Sequence, residues 1–210
     1  YPTAGMVWGT PTIFDGVCYV GSMDHNIYAL DLEDGTERWR YGATGAIVMA
    51  PVAVGDQLLF GALDHRFYAL DLDDGSVDWS FSGNSNWFWA SPAVADKTVY
   101  AASVDGLIYA LALENGTQRW KFDVEAKVVV APIVTDDALI VGSDSGKVWF
   151  LDRTSGGKTF EPGYAPMGDK IRSAMALADG TVFGTTIDNQ IWAIDPERGQ
   201  RRWSYNVTDD

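Results

Sequence analysis

The chain has 210 residues, 47% of them hydrophobic and 21% charged, a composition typical of a folded globular protein with a sizeable core. Its 29 acidic and 15 basic residues give a formal net charge of −14, which argues against nucleic acid and anionic membrane surfaces as partners. The single cysteine, Cys18, excludes an intrachain disulfide bond and a cysteine-based metal cluster. No apolar run approaches the roughly 20 residues of a membrane span, and no signal-peptide pattern stands at the start of the sequence.

Aromatic residues and glycines are abundant, with 9 Trp, 9 Tyr, 9 Phe and 22 Gly, which predicts an all-β fold of short strands joined by tight turns. One motif recurs along the chain at intervals of 40, 41, 40 and 43 residues. Its five copies begin at Tyr28, Tyr68, Tyr109, Trp149 and Trp192. We therefore expect a single domain over residues 1–210, built from five units that span approximately residues 6–41, 46–82, 87–123, 127–160 and 170–205.

Each unit is expected to hold four strands, a to d, because turn residues divide it into four short segments. In the second unit these strands are predicted at residues 47–54, 58–62, 67–72 and 77–81. A lone sheet of this size cannot bury both of its faces, so neighbouring units must stack, and a ring of stacked sheets also protects the sheet edges. The sequence thus predicts a β-propeller of four-stranded antiparallel blades.

The residues Ala29, Asp31, Gly35 and Trp39 follow the pattern A-x-D-x-x-x-G-x-x-x-W, which the second and fifth units also match in full. The departures are Ala112 in the third unit and Phe150 and Phe160 in the fourth. This pattern resembles the tryptophan-docking motif of the PQQ-like, or quinoprotein-type, β-propeller repeat family. The resemblance implies that the last residue of each motif is a structural docking residue that packs against the next blade. These residues are Trp39, Trp79, Trp120, Phe160 and Trp203.

The same resemblance raises the possibility of an enzyme, since some members bind pyrroloquinoline quinone and calcium. Such members typically place vicinal cysteines over the quinone and draw further ligands from loops inserted between blades, whereas Cys18 is alone and the loops are short. His25 and His65 occupy the same place in successive units and are interpreted as turn residues. We therefore expect no enzyme activity, no catalytic residue, no cofactor and no metal site.

Candidate binding residues come from the loops that a propeller places on one face, those between strands b and c and those that lead into strand a. They are His25, His65, Arg66, Trp87, Phe88, Trp89, Lys127, Lys170 and Arg172. Three consecutive aromatics in an extended segment point to both faces, so at least one is expected to be exposed, where aromatics favour contacts with partners. The longest loop, residues 161–170, is a second candidate, while acidic c–d turns are expected on the opposite face.

Two questions about the whole protein stay open at this point. The five blades either close on themselves or form a segment of a seven- to eight-bladed propeller. The resemblance implies a noncatalytic binding or scaffold module for a protein partner, as in the BamB-like members of the family, and an extracytoplasmic location in the periplasm or at the cell surface. The alternative is a small-ligand sensor domain of a larger receptor or kinase, and a quinone-dependent dehydrogenase is the third candidate.

Overall fold

The computed structural model describes residues 1–83 and 85–207, and this part of the chain is composed of strands, turns and loops without a helix. The predicted all-β fold is therefore confirmed. Residue 84 and residues 208–210, which belong to the domain predicted over residues 1–210, lie outside the described residues.

The strands form five separate antiparallel sheets of four strands, and in every sheet the strands pair in chain order. Each sheet is one repeat, so we number the sheets as blades 1 to 5. The strands of blade 1 are β1 (Thr12–Phe14), β2 (Val17–Gly21), β3 (Asn26–Asp31) and β4 (Glu37–Gly42). Those of blade 2 are β5 (Val52–Val54), β6 (Gln57–Gly61), β7 (Phe67–Asp71) and β8 (Val77–Phe81).

The remaining three blades repeat this arrangement. Blade 3 holds β9 (Ala93–Ala95), β10 (Thr98–Ala102), β11 (Leu107–Ala112) and β12 (Gln118–Asp123). Blade 4 holds β13 (Ile133–Val134), β14 (Ala138–Gly142), β15 (Lys147–Asp152) and β16 (Tyr164–Pro166). Blade 5 holds β17 (Ala176–Ala178), β18 (Thr181–Thr185), β19 (Gln190–Asp195) and β20 (Gln200–Asn206).

The first strand of blade 2 is shorter than the sequence predicts. In blade 2 the prediction was residues 47–54, whereas β5 covers Val52–Val54. The preceding residues bond to turns instead of to a strand, because Ile47 donates its N–H to the Ser22 carbonyl and Ala46 accepts from the Leu63 N–H. Pro51, directly before β5, has no N–H to give to a ladder.

Blade 4 departs from its predicted boundary at residue 160, because its last strand, β16, lies within the segment 161–170 that was predicted as a loop. In the other four blades the motif Ala pairs directly with the motif Trp across strands c and d, as Ala69 does with Trp79. In blade 4 two large rings, Phe150 and Phe160, replace that small–large pair and lie 5.4 Å apart between centroids. Phe160 therefore precedes the pairing strand, and the boundary at residue 160 is wrong.

The hydrophobic core consists of layers between successive blades. Four clusters of buried side chains fill the spaces between blades 1 and 2, 2 and 3, 3 and 4, and 4 and 5. This is the arrangement expected of repeats that cannot bury their faces alone, because each sheet shields the apolar face of its neighbour.

One aromatic of each of the first four blades packs on the next blade. We call its contact surface on that next blade a seat, which is formed by the glycine of the c–d turn and by the carbonyl three residues before this glycine. Trp39, Trp79 and Trp120 donate their indole N–H groups over 2.8–2.9 Å to the carbonyls of the next blade. The acceptor carbonyls are those of Leu72, Leu113 and Arg153. The seat glycines are Gly75, Gly116 and Gly156 under these Trp rings, and Gly199 under the Phe160 ring.

The series of seats runs from blade 1 to blade 5 and stops. Trp203 of blade 5 is 47% exposed, and nothing lies within 4 Å of a Cβ placed on Gly35 of blade 1. Within the described residues no seat joins blade 5 to blade 1, so closure of five blades on themselves is not shown.

Candidate functional site

Equivalent hydrogen bonds in all five blades hold the b–c turn against the segment that leads into strand a. The N–H donors and carbonyl acceptors, 2.8–3.1 Å apart, are Met23 and Met6, Leu63 and Ala46, Val104 and Trp87, Asp144 and Lys127, and Ile187 and Lys170. The two loop sets therefore share one surface, which we call the upper face. It comprises the turns at 22–26, 62–66, 103–107, 143–147 and 186–190 and the segments at 5–8, 45–48, 86–89, 126–129 and 169–172.

The five acceptors of these bonds occupy equivalent places, which we call the rim positions. They are Met6, Ala46, Trp87, Lys127 and Lys170. The backbone geometry is thus the same in each copy, while the side chain changes from thioether to methyl to indole to ammonium. Because only the backbone takes part in the shared hydrogen bond, the rim side chain is free to differ between blades.

The aromatic segment of blade 3 alternates between surface and core. Trp87 is 42% exposed, Phe88 is fully buried, and Trp89 is half-buried. Phe88 meets the rings of Phe67 and Tyr109 edge-on at centroid distances of 5.5 and 6.1 Å. The structure therefore places Phe88 in the packing between blades 2 and 3, and it leaves Trp87 and part of Trp89 for contacts on the upper face.

The cations of the upper face differ in their engagement. Arg172 holds Asp144 with two hydrogen bonds, from Nε at 3.0 Å and from Nη2 at 2.6 Å, and thereby ties blade 5 to blade 4. Lys127 and Arg66 are exposed, Lys170 is half-buried, and none of these three forms an ion pair within residues 1–83 and 85–207. Three positive side chains are therefore available on this face, and Arg172 serves the scaffold.

His25 and His65 lie in the b–c turns with φ angles of 75° and 68°, in the left-handed region that such turns require. Both side chains are exposed. The equivalent places in the other blades hold Gly106, Gly146 and Asn189, also at positive φ. The backbone of each histidine thus shapes its turn, as the sequence interpretation states, and its ring projects from the upper face.

The acidic residues of the b–c turns are largely occupied with internal hydrogen bonds, a pattern that the sequence analysis did not identify. Asp24 accepts a 2.7 Å bond from the Tyr28 hydroxyl and further bonds from Asn26 and Ala4. Burial pushes the pKa of Asp24 upward, but these donors together outweigh it and lower the pKa from 3.8 to about 2. The signal available in the sequence was the spacing Asp-x-x-x-Tyr.

Asp64 has the same role in blade 2. It accepts hydrogen bonds from the Tyr68 hydroxyl at 2.7 Å and from the Thr44 backbone and hydroxyl at 3.1 and 3.0 Å. Burial and the bond to Asp64 both raise the pKa of the Tyr68 phenol above its usual 10.0. Asp105 of blade 3 accepts a bond from the Ser85 hydroxyl at 3.1 Å. These carboxylates hold the loops together and keep their negative charges, so the upper face carries both acidic and basic groups.

The opposite surface, the lower face, carries the a–b and c–d turns, which are held together by bonds such as that from the Leu72 N–H to the Asp56 carbonyl. The acidic c–d residues predicted there are Asp31, Glu33, Asp34, Asp71, Asp73, Asp74, Asp195 and Glu197. Open grooves of about 240 to 590 Å³ lie on this side. The groove of about 590 Å³ is lined by strand a residues and by Arg153, which pairs with Asp96 at 2.9 Å.

The residues present do not fit the quinone and calcium of the catalytic relatives that the resemblance suggests. Cys18, the one cysteine of the sequence, sits half-buried in strand β2, so vicinal cysteines over a quinone are unavailable. Across residues 1–83 and 85–207 no group of three or more His, Cys, Asp or Glu side chains is placed to hold a metal ion. We therefore derive no chemistry through either group.

The sequence profile of the family described as outer membrane protein assembly factor BamB matches residues 3–87 and 83–210. Among curated proteins, the chain is 24% identical to tetrathionate hydrolase of Acidithiobacillus ferrooxidans over 204 residues, which is 94% of this chain and 36% of that protein. It is 30% identical to a quinohemoprotein alcohol dehydrogenase of Pseudomonas putida over 101 residues, 43% of this chain and 14% of that protein. The chain thus spans well under half of either relative.

Solved structures share the fold at low identity. BamB from Moraxella catarrhalis superposes with a TM-score of 0.82 and 21% identity, covering 98% of this chain and 66% of that one. The computationally designed protein Ika8 superposes with a TM-score of 0.84 and 17% identity, covering 95% and 61%. Among the described residues no helix has the length and apolar character needed to cross a membrane.

Proposed function

The chain belongs to the family of outer membrane protein assembly factor BamB, and on that premise we propose that it is a noncatalytic scaffold whose upper face binds a protein partner. The observation that carries this proposal is the rim, where an exposed Trp87 occupies the position that Lys127 and Lys170 occupy in the next two blades, each held by the same backbone hydrogen bond. We further propose an extracytoplasmic location, in keeping with the family's description as an outer membrane assembly factor.

An indole at the rim supports protein binding because tryptophan supplies a large rigid contact area at little entropic cost, and such residues dominate many interfaces. The burial of Phe88 between Phe67 and Tyr109 fixes the backbone of its neighbours. Trp87 and the exposed part of Trp89 are therefore held in place before a partner arrives, which reduces the entropy lost on binding.

The charges of the upper face indicate the chemistry of the partner. Asp24 and Asp64 are engaged with the loops, and Asp144 is engaged with Arg172. Lys127, Lys170 and Arg66 are left with no acidic partner in the part of the chain that the structure describes. We propose that the partner presents an extended segment with carboxylate and apolar side chains to these cations and to Trp87.

A labelled peptide of ten residues that alternates aspartate with leucine tests this proposal by fluorescence anisotropy. We expect it to bind at least about tenfold more tightly than the matching peptide with asparagine for aspartate, since the asparagine peptide cannot pair with the rim ammonium groups. Trp87→Ala should weaken binding by about tenfold, the effect of losing an interface anchor. Equal binding of both peptides, or none, would contradict the proposed partner chemistry.

A matched pair of double variants separates local contacts from overall charge. Lys127→Ala with Lys170→Ala removes two positive charges from the rim, whereas Lys97→Ala with Lys121→Ala removes two exposed charges elsewhere. Only the rim double variant should weaken binding of the aspartate peptide, because both double variants change the net charge, and so the long-range electrostatic attraction, by the same amount.

A melting temperature that rises with pyrroloquinoline quinone and calcium, together with dye-linked oxidation, would contradict the scaffold proposal and favour an enzyme. A melting temperature that rises with another small ligand would favour the alternative of a small-ligand sensor domain.

A further inference from the structure

We propose that a groove on the lower face, between blades 4 and 5, binds a small aromatic cation of the indolylalkyl ammonium class. The groove has a volume of about 420 Å³, within the range of about 300–1,000 Å³ that small-ligand sites occupy. We call it the blade 4–5 groove, and its lining includes Asp136, Asp137, Thr159, Leu177, Pro196 and Glu197. Because it lies opposite the rim, the inference stands whether the upper face serves a scaffold or a sensor.

The equivalent groove between blades 1 and 2 shows what the blade 4–5 groove lacks. It is smaller, at about 240 Å³, and its lining includes Tyr19, Arg38 and Leu72. The corresponding residues of blades 4 and 5 are Ile140, Thr159 and Pro196. Two of these side chains are smaller than their counterparts in blade 1, and the docking residue beside them is Phe160 instead of a tryptophan. The blade 4–5 groove therefore has more room and has lost polar groups.

One lost group is the donor to the seat carbonyl of blade 5, which belongs to Pro196. The equivalent carbonyls of Leu72, Leu113 and Arg153 each receive an indole N–H from the preceding blade. The seat of blade 5 receives the Phe160 ring, which has no N–H. In the ranges 1–83 and 85–207 no other donor is bonded to the Pro196 carbonyl. The ring N–H of a ligand therefore has an acceptor at the place where three other seats bind an indole.

The other lost group is a cation. Asp136, Asp137 and Glu197 are exposed at the blade 4–5 groove, and none of them forms an ion pair within the described part of the chain. In the blade 1–2 groove the guanidinium of Arg38 supplies positive charge, whereas Thr159 holds its place in blade 4. The groove thus has three carboxylates without a positive charge among them.

Two arginines near this lining are engaged with other carboxylates. Arg202 donates to the Gly180 carbonyl at the groove and pairs with Asp195 at 3.4 Å. Arg153, in the neighbouring groove, pairs with Asp96 at 2.9 Å. Since the whole chain carries a net charge of −14, its long-range field also attracts cations. A positively charged ligand is therefore favoured over a neutral or anionic one.

The apolar part of the lining completes the description of the ligand. Leu177 is 41% exposed, and it lines the blade 4–5 groove together with Pro196. A flat ring that lies against these two residues removes apolar surface from water. The groove thus combines an apolar wall, an acceptor for a ring N–H and carboxylates for an ammonium group. Tryptamine carries all three complementary features in one small molecule, and it is the probe for the test.

Isothermal titration calorimetry of the 210-residue chain with tryptamine tests the proposal, and we expect a Kd below about 1 mM for a ligand of this size. Two matched probes separate the contributions of the N–H and the charge. 1-Methyltryptamine keeps the ammonium group but has no ring N–H, and indole-3-propionate keeps the ring N–H but is negatively charged. Each should bind at least about fivefold more weakly than tryptamine.

A first pair of variants fills the groove with the cation that it lacks. Thr159→Arg places a guanidinium where blade 1 has Arg38, and it should weaken tryptamine binding by about tenfold because the arginine competes with the ligand for the carboxylates. The control is Thr154→Arg, at an exposed turn residue of blade 4 that does not line the groove. It adds the same charge and should change the Kd by less than about twofold.

A second pair of variants removes carboxylates. Asp136→Asn with Glu197→Gln takes two charges from the blade 4–5 groove and should weaken tryptamine binding by at least about fivefold. Asp15→Asn with Asp73→Asn takes two charges from the equivalent places of the blade 1–2 groove, and it should have less than about a twofold effect. All four substituted residues are exposed, so the fold should be kept, which melting temperatures check.

Four results would overturn the proposal. Tryptamine that does not bind at a concentration of about 5 mM would mean that the groove has no affinity for this class of ligand. Equal binding of 1-methyltryptamine would remove the role of the Pro196 carbonyl, and equal binding of indole-3-propionate would remove the role of the carboxylates. Equal weakening by the two members of either variant pair would mean that tryptamine responds to overall charge and not to this groove. None of these results bears on peptide binding at the rim.

Discussion

The seats between blades use nearly the same chemistry in each copy, whereas the rim of the upper face changes from copy to copy. Trp39, Trp79 and Trp120 all place an indole over a glycine and donate to a carbonyl of the next blade. The rim positions share only a backbone bond, and their side chains run from Ala46 to Lys127. The repeated residues therefore encode the fold, and we expect partner recognition at the positions where copies differ.

The largest effect is expected at an occupied seat. Trp79→Ala removes a buried indole, its contacts with Gly116 and its hydrogen bond to Leu113, so it should lower the free energy of unfolding by about 3–5 kcal/mol. Urea denaturation at neutral pH measures the change. The control is Val77→Ala in the same strand, whose side chain is exposed, and it should cost less than about 1 kcal/mol. A loss of similar size in both variants would contradict the special role of the seat.

An intermediate effect on stability is expected at the b–c turn aspartate of the upper face, which recurs as Asp24 in blade 1 and Asp64 in blade 2. Asp24→Asn exchanges a charged acceptor of the Tyr28, Asn26 and Ala4 bonds for a neutral one, so it should lower stability at neutral pH by about 1–2 kcal/mol. The control is Asp73→Asn, at an exposed turn of the lower face, which should change stability by less than about 0.5 kcal/mol.

The pH dependence of Asp24 has a definite sign. Its folded pKa of about 2 lies below the ordinary 3.8, so the folded state binds the proton less readily than the unfolded state. The stabilisation is therefore complete above about pH 4 and is lost as the pH falls toward 2. Stability curves of the parent chain and of Asp24→Asn should converge over that range. Parallel curves from pH 7 to 2 would contradict the assigned role of the carboxylate.

Much of the fold follows from the period of the sequence, because the same short strands and turns recur and a four-stranded sheet needs neighbours. The predicted strand at residues 77–81 has the bounds of β8, Val77–Phe81. The misplaced boundary of blade 4 arose because two large rings, Phe150 and Phe160, do not fit as a cross-strand pair, and the space between two strands is not contained in the local pattern. The empty seat at Gly35 was likewise invisible, since occupancy depends on a neighbouring blade.

The candidate site was predicted unevenly for a related reason. Alternation along an extended segment predicts that at least one of the three aromatics is exposed, because neighbouring side chains point in opposite directions. Trp87 is exposed, but the alternation did not indicate that Phe88, also a candidate binding residue, is the one that is buried. Arg172 was a candidate binding residue, but it pairs with Asp144, which stands where other copies have Met23, Leu63 or Val104. A partner contributed by a different blade can be found only from the folded structure.

The smallest effect is expected at a rim position that differs between copies. Lys127→Ala makes blade 4 resemble blade 2, which has Ala46 at this place, and it leaves the backbone bond from Asp144 intact. Stability should change by less than about 0.5 kcal/mol, because the ammonium group has no ion-pair partner among the described residues. The adjacent Val128→Ala, at a fully buried position, should cost about 2 kcal/mol. If Lys127→Ala cost as much as Val128→Ala, the rim would belong to the frame and the contrast between seats and rim would fail.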